Sequence, residues 1–452
     1  MSFKFSLQQL VLMEVGFLER YGFTIPHELG RESIAKQGDD ESALMRLYQG
    51  LRQLPEPEPP YFCASDLESI HDACPGRRKA GIPIPSETEF RDKILGGWLG
   101  RAAGCTLGKP LECGLTLAEI KEYLGDEFPI DNYLRFSIAE RIALKKKSKL
   151  HPYVTKPCSR EHVAYAMEDD DLNYTVLNLL LLEQKGLGFS RSDIGEIWAS
   201  YLPPACTYGA ETTAFVNYLW GMSIDSVPVY LNPFRDEIGA QIRADMFGYV
   251  CPARPDTAAE LAFRDASFSH VADGIYGAMF VAAMISSACS AKAMEDIVFT
   301  GLAGIPEKCR TAELIHHTLE WHASTGGWEA VYEKIKASTP QYHAGHTVNN
   351  AAYVVNALLA SGGDYEKGIT IAVMQGHDTD CNGATVGSIL GVYLGEKHLP
   401  EKWIGPLNDC LKTSLRTFSE VAISELAERT FKLALQITKG GSWINKPDAG
   451  DA

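Results

Sequence analysis

Apolar residues recur along this chain mostly at spacings of three and four, the period of a helix with one buried face. Leu7, Leu10, Val11, Val15 and Leu18 mark a first helix, and Leu44, Leu47, Leu51 and Leu54 a second. PEPEPP at Pro55–Pro60 then reads as a stiff extended connector, and the chain stays loop-like through Ser86. From Glu87 the helical period returns. It predicts helices over 87–109, 116–125, 161–186, 190–202 and 212–220, a helical run after Pro233, and 261–291 with a break near 269–274. Later helices are predicted at 293–303, 311–323, 327–337, 347–360, 367–374, 380–395 and 416–438. Few stretches alternate with period two, so strands should be scarce. The expected fold is all-α, a compact multi-helix bundle, with residues 1–88 as an N-terminal helical extension and 89–452 as the main domain. The pattern leaves open whether the extension is a lid, an oligomerisation arm or a plain addition.

Two helices depart from the amphipathic pattern. One carries glycines at 96, 100, 104 and 108, the other at 383, 387, 391 and 395. Positions four apart share a helix face, so each makes a flat stripe where another backbone can approach. The second stripe follows Asp378, Asp380 and Cys381. Far upstream, Glu168, Asp169, Asp170 and Asp171 run straight into the apolar LNYTVLNLLLL. Carboxylates carried into a core need cations. Two such clusters could meet around Mg²⁺ or Ca²⁺, which take oxygen ligands. The plainer alternative is two acidic helix N-termini.

Composition narrows the class. The 452 residues carry a formal charge of −16, which disfavours a nucleic-acid partner. The 11 cysteines include no CxxC, and the start of the chain does not read as a signal peptide. Gly277–Ala291 is apolar but interrupted by serines and too short to span a membrane. A cytoplasmic protein with reduced thiols and no membrane partner is expected, and a homo-oligomer is compatible with this. The basic run Lys145–Lys149 reads as solvated surface.

Four motifs, in order, resemble those of the ADP-ribosylglycohydrolase family, which includes the dinitrogenase-reductase-activating glycohydrolases. They are the glycine helix ending GCTLGKPLE, the acidic EDDD, SFSHVADGIYGAMFVAAM, and HDTDCNG, spread from about Phe90 to Gly395. The resemblance implies the family's all-α bundle and one or two Mg²⁺ ions, with Mn²⁺ or Ca²⁺ as substitutes. It implies that Asp169, Asp170, Asp378 and Asp380 bind metal, with Glu168 and Cys381 standing where the family places threonines. It implies Glu112 beside the scissile bond as gate or acid/base, acting with Asp169 and Asp380, and His270 near the ligand. DTDC in place of DTDT sets the chain apart: a thiol is a soft ligand and suits Mg²⁺ badly. Cys105 likewise replaces an aspartate.

The family's glycine-rich diphosphate loop has no counterpart here. On one helix after Pro233, Arg235 and Arg243 could instead pair with phosphate and Gln241 share their region; salt-bridging to Asp236, Glu237 and Asp245 is the alternative. His346 and Asn349 are candidates for sugar contacts, with helix capping by Thr347 and Asn349 as the alternative, and His377 for stacking on a base. The function implied is metal-dependent hydrolysis of a glycosidic bond to ADP-ribose or a related ribosyl group, on a protein side chain or small molecule. The missing loop opens a smaller nucleoside-like N-riboside as substrate. The Cys105 and Cys381 departures open a catalytically inactive binding module, or a thiol-dependent enzyme.

Overall fold

The two glycine stripes pack against each other. Ser86 starts the first helix, Glu87–Gly108, by accepting a hydrogen bond from the Glu89 amide, and Pro110 follows in a 3-10 turn. The helix Thr379–Leu394 lies antiparallel against it. A Cβ added at Gly96, Gly100, Gly104 or Gly108 would come within 3.0 Å of the carbonyl oxygen of Gly391, Gly387, Gly383 or Thr379 respectively, a distance real Cβ atoms do not show. Backbone-to-backbone packing of this kind gains dispersion and Cα–H···O contacts that any side chain would remove. Gly104→Ala is therefore expected to cost about 1–3 kcal/mol, as overpacked core sites do, read from the urea midpoint. Gly188→Ala is the control, since a Cβ there meets nothing within 4 Å; equal behaviour of the two variants would reject the close approach.

The computed structural model describes residues 5–58, 61–76, 84–112, 114–145 and 155–438. The last two prolines of the connector, most of the basic run and residues 439–452 lie outside them. The remaining helices surround the glycine pair. Pro255–Ala266 and Asp273–Ala288 flank the break seen in the sequence, and every residue of Asp273–Ala288 is buried. GIYGAMFVAAMISSA is apolar on all sides, which suits a helix covered on all sides. Thr347–Ser361 and Tyr365–Met374 complete the layer behind Thr379–Leu394. The fold is all-α. Among the described residues the only strands are Cys410–Lys412 and Glu420–Ala422, an antiparallel pair.

Five elements differ from expectation. The stretch expected to stay loop-like through Ser86 holds a helix, Leu67–Ala73, capped by Asp66, and a helix not predicted runs over Phe136–Lys145. The helix expected at 416 begins at Ile423, because Thr417 takes a left-handed φ of 69° and the chain turns back to pair. The helix expected from 161 begins at Asp170: Asp169 is extended and its side chain accepts from the Asp171 amide. The run after Pro233 is not one helix but a 3-10 segment, Ile238–Arg243, followed by Asp245–Val250. There Ile238 donates to the Gly345 carbonyl at 3.0 Å and the Thr347 hydroxyl to the Glu237 carbonyl at 2.6 Å, bonds that draw the backbone out of an α-helix.

The first helix, Leu7–Arg20, carries a capping box of Ser6 and Gln9. Its apolar face shares one continuous core with the rest of the chain. Glu14 sits in that face, buried, and receives both terminal nitrogens of Arg235 at 2.7 and 2.8 Å. Arg20 pairs with buried Asp236 at 3.1 Å. The described part of the N-terminal segment is thus clasped to the main body by two ion pairs. Among the described residues no helix is long and apolar enough to cross a membrane.

Candidate active site

Antiparallel glycine packing has a chemical consequence. It sets the end of one helix, Gly108–Glu112, beside the start of the other, Thr379 and Asp380, and the Thr379 hydroxyl donates to the Gly108 carbonyl at 2.8 Å. A third helix start arrives through Arg101. This guanidinium is fully buried in the glycine helix; it donates to the Asp171 carbonyl at 2.8 Å and pairs with the Asp171 and Asp245 carboxylates, each at 3.0 Å. Three chain ends therefore converge. Carboxylate oxygens of Glu112, Asp169 and Asp380 lie within 4.8 Å of one another; so do ligand atoms of Asp171, Asp380 and Cys381, and of Cys105, Asp169 and Asp171. The N-termini of helices Asp170–Lys185 and Thr379–Leu394 add positive potential there.

The electrostatics follow from crowding acids in a dry place. Burial, reinforced by Asp380, pushes the Glu112 carboxyl well above its ordinary range. Burial and then Asp380 raise Asp378, and burial with Asp169 and Asp171 raises Asp170. Burial also raises Asp171 against the pull of Arg101. Asp169 is the exception: burial pushes it up, but the Lys109 ammonium prevails and holds it below the usual range. Lys109 contacts Asp169, Glu112 at 2.8 Å and Asp380 at 3.4 Å. Burial and neighbouring carboxylates push the thiols of Cys105 and Cys381 well up, which disfavours their thiolate forms.

The buried carboxylates and thiols could hold a metal ion. Asp171 Oδ2 and Asp380 Oδ1 are buried without a hydrogen-bond partner, an expensive state that a cation relieves. Lys109, Arg101 and the direct involvement of Asp171 were not foreseen. Each left a faint mark: a lysine inside GKPLE, an arginine on an otherwise small-residue helix, and a fourth acid in the run.

Several expected site residues stand elsewhere. Glu168 precedes its helix and accepts from Ser414 Oγ at 2.6 Å instead of joining the other carboxylates. Arg235 is taken up by Glu14. Arg243 is fully buried, held by Asp265 at 2.5 Å, Glu211 at 2.6 Å and Ser269 at 2.8 Å. Both arginines are buried, and the broken helix removes the shared face expected of them. Gln241 is buried with both amide atoms lacking hydrogen-bond partners. His270 is buried with Nδ1 2.8 Å from Ser269 Oγ, and burial keeps its ring neutral. His346 lies 3.2 Å from the Asp236 carboxylate and stacks on Tyr342. Asn349 donates to the His343 carbonyl at 3.1 Å. His377 stacks on the protein's own Tyr353, whose hydroxyl is 3.0 Å from its Nε2.

The segment at Gly345 passes Asp378, whose Oδ2 would lie 3.7 Å from a Cβ placed there. A cavity of about 700 Å³ is lined by His343, Glu237, Tyr208, Phe234 and, from the N-terminal segment, Phe5 and Arg20. Tyr208 is close enough to the acidic centre for Asp170 and Asp169, after burial, to raise its phenol.

Fold and site together define an all-helical protein with a buried cluster of carboxylates and thiols that could hold a metal ion. The chain belongs to the ADP-ribosylglycohydrolase family, whose model matches residues 86–438. One solved structure, described as an ADP-ribosylglycohydrolase-related protein complex, aligns with 78% of this chain and 99% of its own at 20% identity and a TM-score of 0.48. A search of the curated proteins finds no match.

Proposed function

We propose that this chain is a metal-dependent glycohydrolase that cleaves the glycosidic bond between ADP-ribose, or a related ribosyl group, and a protein side chain or small molecule. The observation that carries the reading is the convergence of Glu112, Asp169 and Asp380, whose carboxylate oxygens lie within 4.8 Å of one another. Asp169, Asp170, Asp171, Asp378 and Asp380 are the residues that would hold the metal. A bound divalent ion supplies charge for ribose hydroxyls and eases deprotonation of water. Glu112, whose carboxyl is pushed up by burial and then by Asp380, is placed to give a proton to the departing nitrogen or oxygen while water adds at the anomeric carbon and passes its own proton to a neighbouring carboxylate. The remaining carboxylates face the positive charge that grows on the sugar ring as the bond breaks. The rest of the substrate would lie along Tyr208 and Phe234, and Arg20 offers a guanidinium in the same cavity.

A nucleoside-like N-riboside is the second reading, favoured by the internal commitment of Arg235 and Arg243. The test is purified chain with Mg²⁺ or with EDTA, offered ADP-ribosyl-arginine, ADP-ribosyl-serine, O-acetyl-ADP-ribose and a panel of nucleosides. Release of free ADP-ribose that stops in EDTA is expected. Release of ribose from nucleosides alone would select the second reading. No product from any of them with Mg²⁺, Mn²⁺ or Ca²⁺ would reject both and leave a binding module.

A further inference from the structure

Lys109 lies at the centre of the acidic cluster. Its side chain is 13% exposed, and its ammonium contacts Asp169 and lies 2.8 Å from Glu112 Oε2 and 3.4 Å from Asp380 Oδ2. These are the same three carboxylates whose oxygens gather within 4.8 Å of one another, the spacing of ligands around one ion. The acids come from three separate parts of the chain, so the ammonium is surrounded, which a simple surface pair is not. Its backbone is also anchored: Gly108 is pinned to Thr379 on one side, and Pro110 sits in the 3-10 turn on the other.

We propose that Lys109 is a built-in cation that fills one cation position of this centre, leaving a single position for a divalent ion. The inference rests on reading the cluster as a cation site. An ammonium on a short anchored tether has a very high effective concentration at that point, so a free ion must displace it. It brings one positive charge and three N–H donors, against the two charges and open coordination of a metal ion. It therefore neutralises the buried acids but cannot coordinate a sugar hydroxyl or water as a metal ion does. The remaining position lies toward Asp171, Asp380 and Cys381, whose ligand atoms also lie within 4.8 Å of one another and where Asp171 Oδ2 and Asp380 Oδ1 have no hydrogen-bond partner.

Direct titration with Mn²⁺, followed by electron paramagnetic resonance and calorimetry, tests this on the full chain, Lys109→Met, Lys109→Gln and Lys109→Arg. One ion per chain is expected for the natural chain and for Lys109→Arg. Two ions, or a single ion bound at least about tenfold more tightly, are expected for Lys109→Met and Lys109→Gln, tenfold being about 1.4 kcal/mol. Two uncharged replacements guard against one failing to fold, and circular dichroism confirms the helices. Two ions on the natural chain, or equal stoichiometry and affinity in all four proteins, would overturn the proposal; binding to none of them would overturn it too. Hydrolysis is measured separately on the substrate panel, so the ion count can refute the role of Lys109 while activity stands, and loss of the hydrolase reading leaves the ion count intact.

Discussion

Asp380→Asn is expected to lower hydrolysis by about 10³-fold while the chain remains folded. Asp380 is buried, and it belongs to two of the three groups of candidate ligands, that with Glu112 and Asp169 and that with Asp171 and Cys381. Asparagine keeps the shape and removes the charge. The centre then loses its shared oxygen ligand, and Glu112 loses the neighbour that, after burial, does most to keep its proton. Stability is expected to stay level or rise, because one of several crowded buried acids is gone and functional sites commonly trade stability for such crowding. The checks are kcat/KM on the cleaved substrate, Mn²⁺ affinity and the thermal midpoint. Activity within about threefold of the natural chain would place the chemistry elsewhere, since a group acting on the reacting atoms contributes far more. A large fall in stability with no selective fall in activity would make Asp380 structural.

Glu14→Ala is expected to cost about 3–5 kcal/mol of stability, the range for stripping one partner from a buried ion pair. The loss comes less from the missing contact than from what remains: Arg235, buried over the ring of Phe17, would keep its charge with only the Asn232 carbonyl to receive it. The same reasoning predicts that Glu14→Leu combined with Arg235→Met recovers most of the loss, because well-packed apolar pairs replace buried ion pairs at little cost. Urea unfolding of the three proteins measures this. A cost under about 1 kcal/mol for Glu14→Ala would mean that helix Leu7–Arg20 is not held by this pair. Phe5, Gln9, Leu12 and Met13 line the cavity near the acidic centre, so loosening the helix should also raise KM more than it lowers kcat.

Much of the helical order was legible because it depends on short-range spacing. Ser86, Thr116 and Ser190 each cap a helix close to where the apolar period begins. The boundaries that went astray depend on distant partners. Residues 416–422 were expected in a helix, but the chain folds back so that Glu420–Ala422 pairs with Cys410–Lys412, and the chain after Pro233 is drawn out by Gly345 and Thr347, more than 100 residues away. The candidate site shows the same division. Asp169, Asp378 and Asp380 stood out as carboxylates heading into apolar helices. Arg235 and Arg243 were read as phosphate partners or as salt-bridged to Asp236, Glu237 and Asp245, and His346 as a sugar contact; the acids that hold them come from the tertiary fold: Glu14, Asp265 with Glu211, and Asp236.

The sequence by itself determined that this protein is helical, that two of its helices are thinned by glycine every fourth residue, and that acids begin two core helices. Those properties follow from residues three or four apart, whose geometry is set by the helix alone. Only the tertiary structure decided that the two thinned faces meet, and that they meet antiparallel. That choice turns on backbone approaches between residues nearly 300 positions apart, and it places Lys109 and Glu112 against Asp380 and Asp169.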